Sequence, residues 1–117
     1  MRQVTLVDAG SGAPVCSPVE LASRPWSRMR GLLGRRGLAP AHGMLFSRTH
    51  AVHTLFMRFP IDVVFLDEEL AVVEVAAAVA PWRTAGRKGA RWTLELGAGE
   101  AARLGLAPGR RVVIEPA

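Results

Sequence analysis

Punctuation limits this chain more than hydrophobicity does. Its apolar residues come in short segments, each stopped within about ten residues by a glycine, proline or acidic cluster. The longest apolar stretch, residues 70–80, is interrupted by Glu74 and is too short to cross a bilayer as a helix. Short segments of this kind, alternating or wholly apolar, are strands. Residues 2–7 alternate, with Val4 and Leu6 on one side. Asp8-Ala9-Gly10-Ser11-Gly12-Ala13-Pro14 then supplies a turn, predicting a hairpin with a second strand over 15–22. Pro18 removes a ladder donor and places that strand at an edge or a bulge. Met44-Leu45-Phe46 is a short strand, and residues 53–57 are another before a bend at Pro60, which keeps Phe59 extended.

Residues 61–66 contain the run Val63-Val64-Phe65-Leu66, the pattern of a strand buried on both faces. Asp67-Glu68-Glu69 turns the chain into a long strand over 70–79. Residues 81–90 form the longest irregular stretch and read as a mobile functional loop. Alternation resumes over 91–96, with Trp92, Leu94 and Leu96 inward and Thr93 and Glu95 outward. After the turn signal Pro108-Gly109, residues 111–115 give a closing strand. Helical signals are two. Ser23 is an N-cap with Pro25 in the first turn, and the helix runs to Leu33 with Trp26, Met29 and Leu33 on one stripe. A shorter helix over 99–104 ends at Gly105, which takes the left-handed conformation cheaply. The sum is one α+β, mainly β domain over residues 1–117: a compact curled or barrel-like antiparallel sheet with two short helices.

The formal charge of +5 raises the question of an anionic partner. All but Lys88 of the 15 basic residues are arginine, and the chain is also rich in Ala and Gly. A GC-rich coding sequence yields that joint bias without any partner. The basic residues are also dispersed, with denser groups over 24–36 and 83–91. Solvated basic surface is the preferred reading, which weighs against nucleic acid. One cysteine, Cys16, excludes an internal disulfide and suits a reducing compartment. The first residues meet Asp8 and Gly10 before any secretory apolar run develops, so the expected location is the cytoplasm, with no transmembrane segment.

Four segments stand in order: Arg30-Gly31-Leu32-Leu33-Gly34-Arg35, Gly43-Met44-Leu45-Phe46, Val52-His53-Thr54-Leu55-Phe56-Met57-Arg58-Phe59-Pro60-Ile61-Asp62-Val63-Val64-Phe65-Leu66-Asp67, and Leu94-Glu95-Leu96-Gly97-Ala98-Gly99. Together they resemble domain-of-unknown-function family 192 over nearly the whole chain, the third segment being the most specific. The resemblance implies a compact, mainly β domain with short helices. It implies no activity, because the family has no established one. Some relatives carry Asn or Thr after the basic residue, where this chain has Phe59-Pro60.

His50-x-x-His53 is the one histidine pair at suggestive spacing. On a strand, residues three apart point oppositely, and further ligands would have to come from Cys16, His42 or carboxylates. No metal or cofactor is expected. Cys16, His53 and Asp62 offer a nucleophile, a base and an orienting group, but Cys16 beside Val15 reads as a buried thiol. No Gly-x-Ser-x-Gly elbow is present, and no catalytic residue is assigned. Arg58 and Asp62 flank the Pro60 bend and are expected to meet as an ion pair that fixes it. In the functional alternative they stand at the mouth of a pocket walled by Trp82 and Trp92. The candidate ligand-binding residues are His53, Met57, Arg58, Asp62, Trp82 and Arg83, with Trp82 the aromatic expected to be exposed. These point to a non-catalytic binding or accessory module for a protein or small polar ligand. The alternatives are a hydrolase using His53 and Asp62, and an arginine-driven nucleic-acid binder with steeply salt-dependent affinity.

Overall fold

The computed structural model describes residues 2–22, 38–54 and 57–116. Nine strands and one helix occur among them. The strands are β1 (Arg2–Asp8), β2 (Pro14–Ala22), β3 (Gly43–Ser47), β4 (Ala51–His53), β5 (Ile61–Leu66), β6 (Val72–Val79), β7 (Thr84–Gly86), β8 (Trp92–Gly97) and β9 (Val112–Pro116). The helix, α1 (Glu100–Arg103), follows β8. Seven strands form one sheet in the order β6-β5-β8-β3-β2-β1-β9, while β4 and β7 make a separate two-stranded ribbon.

The predicted β1–β2 hairpin forms, with Val4 opposite Val19 and Leu6 opposite Cys16. That register slips across Ser17 and Pro18, so proline occupies a bulge. It does not mark an edge, because β2 lies between β1 and β3. β2 and β3 run parallel, unlike every other neighbouring pair, where a wholly antiparallel sheet was expected. Residues 23–42 intervene, long enough for the crossover that parallel strands require. The helix predicted to end at Leu33 lies outside the described residues.

Barrel-like closure does not occur. β6 pairs along its length with β5 alone, and β9 with β1 alone. The sheet nevertheless curls until its two ends touch at one bridge, Ala71 to Arg111. The Val72 amide donates to the Arg110 carbonyl at 2.8 Å and the Val112 amide to the Leu70 carbonyl at 3.1 Å. α1 is the one helix among the described residues, and Gly105 after it is left-handed at φ 71°, as its position predicts.

Period-two alternation sends each central strand into two cores. Leu45, Val64, Leu94 and Leu96 join Val4, Leu6 and Val19 on one face, closed by Ala101 and Leu106. Met44, Phe46, Val63 and Phe65 join Met57, Phe59 and Ile61 on the other, where Val52 of β4 and Ala85 of β7 also pack. Each large side chain so buried contributes about 1.5–3 kcal/mol. β5 is buried at every position, as its apolar run predicts. β8 corrects the sequence reading: Thr93 and Glu95, placed outward by alternation, are completely buried because the second face is covered too. Gly43 shows how tightly β3 meets β8. A Cβ there would lie 2.8 Å from Leu96 Cδ2 and 2.9 Å from the Glu95 carbonyl oxygen.

Candidate functional site

Residues 81–90, read as an irregular loop, contain β7, which pairs antiparallel with β4. Three residues are too few to announce a strand by periodicity; their partner defines them. The ribbon has two ends of different construction.

At the first end, His53 is opposite Thr84, and Thr54 follows as a completely buried hub. The Thr54 hydroxyl donates to the Ala80 carbonyl at 2.7 Å and accepts from the Arg83 amide at 2.8 Å. The Thr54 amide donates to the Arg83 carbonyl at 2.8 Å, and its carbonyl accepts from the Trp82 amide at 2.9 Å. One threonine thus satisfies the backbone of residues 80–83 and locks them to the central segment. Trp82 sits on this knot at φ 64° with 55% of its surface exposed. A guanidinium nitrogen of Arg83 donates to the Trp82 carbonyl at 3.3 Å.

The six candidate residues divide accordingly. Trp82, Arg83 and Arg58 are exposed and His53 is half-buried, whereas Met57 belongs to the second core. Asp62 is buried at 1% exposure, and its two oxygens accept from the Ala78 amide at 2.8 Å and the Ala101 amide at 2.9 Å. The expected Arg58–Asp62 ion pair does not form. Burial on β5 turns the carboxylate toward the backbone of β6 and α1, while Arg58 stays in solvent. Two carboxylate oxygens committed to amides leave Asp62 an architectural group.

At the second end of the ribbon, Ala51 is opposite Gly86, and the Arg87 amide donates to the His50 carbonyl at 2.8 Å. An open cleft of about 760 Å³ lies here, lined among others by Arg48, His50, Glu68, Arg91 and Trp92. A shallower depression of about 410 Å³ continues from it past Arg87 and Lys88. Of the two tryptophans expected to wall a pocket, Trp92 lines the cleft and Trp82 lines neither hollow. The sequence reading missed this cleft, although the dense basic group over 83–91 was its signal. No cluster of three or more His, Cys, Asp or Glu able to hold a metal occurs among the described residues. Cys16 is fully buried, and burial, with the Glu100 carboxylate as a smaller contribution, pushes its thiol up to about 12.

The sequence matches the model of domain-of-unknown-function family 192, described as an uncharacterized ACR, over residues 6–114. The chain belongs to this family. A Sinorhizobium meliloti protein described as a "putative transcription regulator" is 32% identical with a TM-score of 0.79, covering 96% of this chain and 92% of its own. A protein of unknown function from Novosphingobium aromaticivorans is 28% identical with a TM-score of 0.78, covering 95% of this chain and 83% of its own. A Burkholderia pseudomallei "putative exported protein" shares the fold alone, at 17% identity and a TM-score of 0.51, over 97% of this chain and 24% of its own. No protein of curated function matches. Among the described residues no helix is long and apolar enough to cross a membrane.

The segments that carry the resemblance to family 192 largely build the frame. The central one supplies β4, the Thr54 knot, β5 and Asp62, and the last supplies β8. The charged residues of the cleft, Arg48, His50, Glu68 and Arg91, lie between those segments.

Proposed function

We propose that this family 192 chain is a non-catalytic binding or accessory module, engaging a protein or a small polar ligand through the Trp82 end of the ribbon. The observation that carries this reading is the presentation of Trp82. A bulky residue in the left-handed region costs about 1–2 kcal/mol, and here that residue is a half-exposed indole held on a hydrogen-bonded knot. An indole offers an apolar face and one donor, which suits sugars, bases and partner side chains. Arg83, next to Trp82, and Arg58 on the central segment are exposed cations, and His53 is paired with Thr84 across the ribbon. Cys16, the single cysteine, fits action in a reducing compartment such as the cytoplasm.

The test is a thermal-shift screen against sugars, nucleotides, divalent metals and short nucleic acids, run beside Trp82→Ala and His53→Ala. A ligand at a hundred times its dissociation constant stabilises by about 2.7 kcal/mol. A shift abolished by Trp82→Ala is the expected result. A shift untouched by either variant would place recognition elsewhere.

A second reading, the arginine-driven nucleic-acid binder, is favoured by the description of the Sinorhizobium meliloti relative as a transcription regulator. It requires affinity for duplex DNA that falls steeply with salt. The hydrolase reading has less support, since both Asp62 oxygens are held by backbone amides.

A further inference from the structure

The cleft at the other end of the ribbon is built without Trp82. Its walls are tied together by backbone groups and two threonine hydroxyls. The Thr49 amide donates to the Arg91 carbonyl at 3.1 Å, and the buried Thr93 hydroxyl donates to the Thr49 carbonyl at 2.7 Å. The Thr49 hydroxyl closes the turn onto the Ser47 carbonyl at 3.0 Å, and the Arg91 amide donates to the Leu66 carbonyl at 2.9 Å. These bonds leave the charged side chains out of the scaffold. Arg87 pairs with Glu74 at 2.8 Å, but Arg48, Lys88 and Arg91 form no ion pair among the described residues. Arg48 is also left-handed, at φ 51°, a conformation glycine would adopt more cheaply.

Charge decides the class of ligand. Across the cleft and the depression beside it, and with Arg87 neutralised by Glu74, Arg48, Lys88 and Arg91 carry three positive charges against one negative charge on Glu68, a surplus of two. A carboxylate offers one negative charge, whereas a phosphate monoester carries about 1.5–2 at neutral pH and accepts from guanidinium forks. Beside the arginines stands Trp92, half-buried, an apolar wall for a flat ring. Glu68 is the single carboxylate lining the cleft, placed to accept from a hydroxyl. A volume near 760 Å³ falls in the range of small-molecule sites.

We propose that this cleft binds a phosphate monoester carried on a small molecule with a planar ring, of the mononucleotide type. The phosphate sits on Arg48 and Arg91, with Lys88 and His50 beside them, and the ring lies against Trp92.

The test is titration of the full chain with adenosine 5′-monophosphate, adenosine, ribose 5-phosphate and a single-stranded oligothymidylate lacking a terminal phosphate. The nucleotide binds, and adenosine and ribose 5-phosphate each bind at least about tenfold more weakly. Arg48→Ala and Arg91→Ala, both at exposed positions, each weaken the nucleotide by about tenfold or more at unchanged melting temperature. Trp92→Leu reduces the nucleotide to the level of ribose 5-phosphate, and Trp82→Ala leaves it unchanged, which separates this site from the one under Proposed function. No binding of the nucleotide or ribose 5-phosphate, or binding indifferent to both arginines, overturns the proposal. Tighter, salt-sensitive binding of the oligonucleotide overturns it in favour of a strand-binding groove.

Discussion

The two ends of the β4–β7 ribbon use polar groups in opposite ways. At the Thr54 end a side chain serves the backbone: one buried threonine satisfies residues 80–83, and nearby Asp62 spends both oxygens on amides of β6 and α1. At the cleft end the walls are tied by backbone bonds and by the short hydroxyls of Thr49 and Thr93, so that none of the charged side chains is used, and three cations face solvent without a partner among the described residues. A polar side chain consumed by the fold gives stability. One left over by a self-satisfied backbone is available to a ligand. Substitution of Thr54 or Asp62 should therefore cost stability, and substitution of the cleft cations should cost binding rather than stability.

The largest effect expected is at Asp62. Asp62→Ala strands the buried Ala101 amide and the part-buried Ala78 amide and should destabilise by about 3 kcal/mol, lowering Tm by roughly 10 °C. A Tm within a degree or two of wild type would mean that water replaces the carboxylate and that Asp62 is available for other work. Thr54→Val comes next, at about 2 kcal/mol. It should also release the loop, read as faster amide exchange over residues 80–83 by mass spectrometry. Unchanged exchange there would break the comparison, because the knot would then not depend on the threonine.

Glu100 extends the architectural class to the rim. Its carboxylate pairs with Arg103 at 2.6 Å and accepts from the Ala41 amide at 2.6 Å, and these partners hold its pKa at about 2. The folded-state value is depressed, so the stabilisation is present above the ordinary glutamate range near 4.5 and lost as pH falls toward 2. Glu100→Gln should flatten that part of the Tm-against-pH curve, and an acid limb parallel to wild type would show that other carboxylates dominate. The smallest effect is at Arg48. Arg48→Gly relieves a left-handed side chain and should raise stability by about 0.5–1 kcal/mol. The same change removes phosphate binding at the cleft. Loss of stability instead would mean that Arg48 belongs to the frame.

The elements legible in the sequence were those with a local cause. The β1–β2 hairpin followed from its glycine and proline turn, β5 from an uninterrupted apolar run, and the end of α1 from Gly105. β7 escaped because three residues have no period of their own and owe their strand to β4. Glu95 and Thr93 were misplaced because alternation reports two faces without saying whether the second is covered. The exposure of Trp82 was read from its setting between Pro81 and Arg83, whereas the Arg58–Asp62 pair was inferred from proximity in the chain. Proximity failed there because burial turned Asp62 toward amides from two other elements.

By itself, then, the sequence determined the strand-rich class, most turn positions and the faces of the central strands, all set by interactions within a few residues. Membership of family 192 was readable in the same way, since the motifs are contiguous. The tertiary structure alone decided the parallel β2–β3 pairing, the open edge-to-edge curl, the burial of Glu95 and the cleft. Each depends on segments distant in the chain, and no local pattern records which backbone will satisfy which polar group.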